Sequence, residues 1–223
     1  MKRLVLLPAL FVLLVGLTGF SGNDKAEGGN TEITFYATPL VCGAVPEIGC
    51  GSRAKPVLLA LEKSSAVKEA WLNRPGTVIA VVWTGKPQTG AVAKPVFAEN
   101  DLECNELSEK DAAVYRKTFR KENLWYRGAD VDALSREEAT IIAESAMQLA
   151  VGKNLITKDE ADKIMADIEA YFKEESARVR TIEQVQEDSM NRFAQALYSI
   201  AEKHIGSERT AKAMELYQQH SGN

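Results

Sequence analysis

Residues 33–84 read ITFYATPLVCGAVPEIGCGSRAKPVLLALEKSSAVKEAWLNRPGTVIAVVWT, and the fold turns on them. Ile33 to Ala37 mixes β-branched and aromatic residues in alternation, which predicts a short strand, stopped by Pro39. Leu40 to Ser52 is a loop punctuated by Gly43, Pro46, Gly49 and Gly51, and it carries Cys42 and Cys50. From Pro56 to Lys63, Val57, Leu58 and Leu61 can share a helical face. The helix is expected to start at Pro56, where a missing N–H costs least and the residue before proline avoids the αR region. Val67 to Leu72 predicts a second strand, Asn73-Arg74-Pro75-Gly76 a turn, and the nearly all-apolar Thr77 to Trp83 a central strand.

Outward from this unit the chain changes character twice. In front, Lys2 and Arg3 precede an apolar run from Leu4 to Leu17, followed by small residues at Gly19, Ser21 and Gly22. That is the pattern of an export leader, expected over residues 1–22. The run is short for a membrane span, so an uncleaved leader is the only membrane attachment expected. The compartment beyond is then the periplasm or the exterior, where thiols meet oxidising conditions. Residues 23–32 form a polar, glycine-bearing lead-in.

Behind the unit, residues 85–107 read as a connector containing Pro87, Gly90 and Pro95. Residues 108–223 take a helical period. Ser108 can cap a helix running towards Arg120, and Ser135 with Glu138 has the S-x-x-E capping pattern ahead of a helix closed by Gly152. Thr157 with Glu160 repeats that pattern, a longer helix follows to Gly206, and Ser207 can cap a last one. The expected architecture is α+β, a small thiol-bearing unit followed by helices that could also meet a protein partner. The formal net charge of -4 argues against nucleic acid as a partner, because phosphate recognition needs a basic face.

Cys42 and Cys50 carry the chemistry. Thiolates suit soft ions such as Cu(I), Hg(II) or Zn(II). Cys50 also precedes the expected helix start and has Arg53 and Lys55 close in sequence, a setting that suits a reactive or metal-binding sulfur. A structural disulfide closing the loop is an equally plain reading of the same pair, and an exported thiol–disulfide protein, with Cys50 attacking and Cys42 resolving, is another. The third cysteine, Cys104, lies among Glu99, Asp101, Glu103 and Glu106, which would raise a thiol pKa. It is expected to stay free or pair between chains rather than act as a third ligand.

Taken together, ITFYATPLVCGAVPEIGC, PVLLALEK, VKEAWLN and GTVIAVVW resemble the first half of the heavy-metal-associated domain of periplasmic mercury-binding proteins and copper chaperones. The resemblance covers residues 33–84. It implies a ferredoxin-like β-α-β-β unit and a soft metal held by Cys42 and Cys50, for sequestration or transfer. The family spaces its cysteines as C-x-x-C, whereas seven residues intervene here.

Nothing else in the chain reads as a catalytic constellation. Neither G-x-S-x-G nor a phosphate-cradling glycine loop is present. Glu137-Glu138 and Glu174-Glu175 are expected on solvated helix faces, and His204 at a surface or core edge.

Overall fold

The computed structural model describes residues 32–43, 45–186 and 189–221; the expected leader, and the lead-in apart from Glu32, lie outside them. Five strands form one antiparallel sheet: β1 (Ile33–Ala37), β2 (Val67–Asn73), β3 (Val78–Trp83), β4 (Asn105–Glu106) and β5 (Trp125–Arg127). Their spatial order is β4-β1-β3-β2-β5. Helix α1 (Gly51–Glu62) leads from β1 to β2. A π-helical turn (Thr89–Ala93) running into α2 (Lys94–Glu99) leads from β3 towards β4. After α3 (Glu109–Arg116) and β5, a 3-10 turn (Gly128–Val131) opens a helical run. It comprises α4 (Asp132–Gly152), α5 (Lys158–Arg178), α6 (Ile182–Gln186), α7 (Ser189–Ile205) and α8 (Ser207–Ser221). The protein is α+β.

The middle of the sheet is covered on both faces, which explains why β3 is apolar at every position. Ile79, Val81 and Trp83 point into one core with Tyr36, Leu72 and the α1 residues Val57, Leu58 and Leu61. Val78 and Ala80 point the other way, into a second cluster with Phe35, Ala112 and Trp125. Alternation along the strand therefore divides two apolar layers instead of separating core from water. The second layer is largely aromatic: Phe35 meets Phe119 edge-on at 5.8 Å and Trp125 at 6.0 Å, between ring centroids. Arg120 closes its rim by lying over Phe119 and pairing with Glu69.

A third cluster holds the C-terminal helices together through Ile164 and Ile168 of α5 and Ala201 and Ile205 of α7. The α4–α5 turn is closed by local chemistry. Asn154 takes the left-handed conformation at φ 57°, and the N–H of Leu155 reaches the carbonyl of Ala150 at 2.9 Å. Thr157 and Glu160 then form the expected capping box at the start of α5.

Several boundaries depart from expectation for physical reasons. Helix α1 begins at Gly51, five residues before Pro56, which sits inside the helix. A proline this near the start forfeits only one intrahelical hydrogen bond, and it is buried in the core. Ser135 is not a cap, because the 3-10 turn winds directly into α4 and places Ser135 within its first turns. Asn154, two residues beyond Gly152, takes the left-handed closing position. The stretch 85–107, expected as a connector, contains α2 and β4; Pro95 falls in the first turn of α2, where it is tolerated. Helix α3 stops at Arg116, and turns follow to Arg120 at φ 60°. The stretch expected as one long helix up to Gly206 is helical over 182–186 and 189–205, and residues 187 and 188 lie outside the described ones.

Candidate thiol site and the cleft beside it

The loop between β1 and α1 is a pinned hairpin rather than the freely adjusting segment its glycines suggest. Val41 bridges Gly49 in antiparallel fashion. The N–H of Cys42 donates to the carbonyl of Ile48 at 2.9 Å, and that of Cys50 to the carbonyl of Leu40 at 2.7 Å. The hairpin is sewn to the β2–β3 turn by Leu40 N–H on the Gly76 carbonyl at 3.0 Å and Gly49 N–H on the Arg74 carbonyl at 2.7 Å. Two glycines permit this approach. A Cβ on Gly49 would lie 2.8 Å from the Cα of Gly76. A Cβ on Gly76, which stands at φ 73°, would lie 2.2 Å from the carbonyl oxygen of Leu40.

This ladder fixes where the sulfurs go. Residues on either side of the Val41–Gly49 pair face the opposite way from it, so Leu40, Cys42, Ile48 and Cys50 share one face. Leu40, Cys42 and Ile48 are buried and Cys50 half-buried on this face; on the other, Val41 is exposed while Gly49 is buried against Gly76. Cys42 and Cys50 are diagonal neighbours on that face, a relation with Cα atoms about 7–8 Å apart and Cβ atoms somewhat closer. Among the described residues neither sulfur is joined in a disulfide.

Their surroundings differ. The Cys42 thiol, 3% exposed, donates to Glu138 Oε1 of α4 at 2.9 Å, and its sulfur accepts the Val45 N–H at 3.2 Å. Cys50 is half-buried at the N-cap of α1, with its sulfur 3.4 Å from Ser52 Oγ. Lys55, a cation expected beside Cys50, is committed elsewhere. It is 2% exposed, and its Nζ donates to Asp132 Oδ2 at 2.8 Å and to the Ser176 carbonyl at 2.7 Å, tying α1 to α4 and α5.

Cys104 lies just before β4, and burial pushes its thiol pKa up; the flanking carboxylates expected to raise it are not the cause. Among the described residues no three His, Cys, Asp or Glu side chains converge to hold a metal ion, so Cys104 does not complete a three-ligand set with the pair. The Glu137-Glu138 doublet is not a solvated face: Glu137 pairs with Arg74, and Glu138 accepts the Cys42 thiol. His204 is mostly buried and shares Asp167 with Lys203, at 3.0 Å and 2.8 Å, on the α5–α7 flank.

Beside the hairpin opens a cleft of about 460 Å³ between α4, α5, α6 and α7. Gly43 and Ser52 form its thiol-side wall, Ile142, Phe172 and Phe193 its apolar wall. Its residues come from six separated segments, which is why no local pattern announces it. The α5 residues Tyr171 and Phe172 are visibly aromatic in the sequence, but nothing near them names the other walls.

No protein-family model, curated protein or solved structure matches this chain.

Proposed function

We propose that this protein binds one soft metal ion, Cu(I), Hg(II) or Zn(II), between Cys42 and Cys50, for sequestration or transfer outside the cytoplasm. The observation that carries the reading is the hairpin register, which turns both thiols to the same face as diagonal neighbours. Two metal–sulfur bonds of about 2.3 Å span a gap of about 4.6 Å, within reach of side chains so placed. Glu138, hydrogen-bonded to the Cys42 thiol, is positioned to accept the proton that this sulfur releases on metallation. The strand order β4-β1-β3-β2, with helices after the first and third strands, supports a ferredoxin-like arrangement over residues 33–106. The leader-like pattern of residues 1–22 supports export.

Titration of the reduced protein against a competing chelator tests this. One ion per chain is expected, lost in both Cys42→Ala and Cys50→Ala and kept in Cys104→Ser. Uptake that is indifferent to the first two substitutions defeats the proposal. The half-buried Cys50 in front of the buried Cys42 also suits thiol–disulfide exchange. That alternative predicts a readily reversible disulfide in protein that takes up no metal.

A further inference from the structure

The cleft between α4, α5, α6 and α7 has its own unmet chemistry. Its size falls in the range of small-molecule sites, and its walls combine aliphatic and aromatic side chains with a few polar atoms. The three carboxylates lining it all have partners: Asp132 holds Lys55 at 2.8 Å, Glu175 holds Arg178 at 3.1 Å, and Glu138 accepts the Cys42 thiol. Gln184 is also engaged, its side-chain oxygen accepting the Arg180 and Thr181 N–H groups.

Two lining atoms are buried without a hydrogen-bond partner among the described residues, Arg192 Nε and Ser135 Oγ. The first can only donate, and the second has a hydroxyl proton to give. Among the described residues the guanidinium makes a 3.3 Å hydrogen bond from its Nη2 to the Gln184 carbonyl and forms no ion pair with a carboxylate. Buried donors left unmade are costly, and an acceptor brought by a ligand removes that cost. A cationic ligand would find the carboxylates already taken and the guanidinium opposing it.

We propose that this cleft binds a small apolar acid. Its hydrocarbon or aromatic body lies among Ile142, Phe172 and Phe193, and its anionic head takes the Arg192 Nε–H, with Ser135 a second donor in the same cleft. Neither cysteine lines the cleft, although Glu138 and Ser52 in its walls contact the two sulfurs, and binding of the acid does not depend on metal.

The test is a fluorescence titration of the full chain with 1-anilinonaphthalene-8-sulfonate, an aromatic acid, with decanoate as competitor. One saturable site is expected, displaced by decanoate. The neutral N-phenyl-1-naphthylamine should bind roughly tenfold more weakly, and Arg192→Gln should weaken the acid by a similar factor. Val185→Trp, which fills the cleft from α6, should block binding. Cys50→Ala should leave it unchanged, so failure here is distinguishable from failure of the metal site. Circular dichroism melts check that each variant folds. Equal binding of the neutral probe, indifference to Arg192→Gln in folded protein, or many weak sites would overturn the proposal.

Discussion

Lys55 carries a charge into the seam between α1, α4 and α5, and its value lies in having Asp132 waiting there. With side chains 3% and 13% exposed, the pair is shielded from water, so removing one partner strands the other. Lys55→Ala is expected to cost about 3–5 kcal/mol in urea unfolding. Lys55→Met combined with Asp132→Leu should recover much of that loss, because a buried pair exchanged for apolar groups of like size is often neutral. Cys42→Ser makes a different point. Serine can still donate to Glu138, so stability should fall by no more than about 1–2 kcal/mol, whereas metal uptake should disappear. These residue-scale contacts were hidden in the sequence. Lys55 sits among Ala54, Pro56 and Val57 on the apolar face of α1, a visible anomaly, but Asp132 lies 77 positions away. Glu138 lies 96 positions from Cys42, and its acidic doublet resembles any solvated helix face.

At the scale of elements, the thiol hairpin depends on backbone contacts more than on side chains. Gly76→Ala would force a Cβ against the Leu40 carbonyl and an L-residue into the left-handed region, and should cost about 2 kcal/mol or more. Gly43→Ala meets nothing within 4 Å and should stay within about 0.5 kcal/mol of the parent. Equal losses in the two variants would contradict the pinned-hairpin description. The α5–α8 contact has a pH signature. The Arg209 guanidinium and the Thr157 N–H hold the Glu160 carboxyl down to about 2, below its usual 4.5. A depressed folded pKa adds stability that is fully present above the unfolded value and is lost as pH falls through the folded one. Urea midpoints should therefore decline between about pH 4.5 and pH 2, and Glu160→Gln should flatten that part of the decline. The strong elements were legible because their patterns are long: β3 by its unbroken apolar run, α5 by its capping box. The weak ones were not, since β4 has two residues and β5 three, too few for any period to register. The start of α1 was misplaced because the steric rule for residues before proline yielded to burial of the whole helix face.

Across the whole molecule, the sheet and the helical run are less separate than the sequence suggests. β5 returns from the helical part to pair with β2, and α1 packs against the start of α4, where Gly51 has no room for a Cβ beside the Val131 carbonyl. The cleft and the thiol hairpin both lie along this seam, so the two proposed sites belong to the junction and not to either part alone. Long-range assembly of this kind leaves no local trace, whereas the cysteine loop was legible because thiols, glycines and a following helix are all close in sequence. The central claim is that the two sulfurs act as one ligand set. X-ray absorption of the reduced full chain loaded with one equivalent of Hg(II) tests it most directly. Two sulfur neighbours at about 2.3 Å are expected, and this two-sulfur shell should be absent in Cys42→Ser and in Cys50→Ser, which no longer retain the ion. A first shell of oxygen or nitrogen, or a sulfur count unchanged by either substitution, would contradict the account.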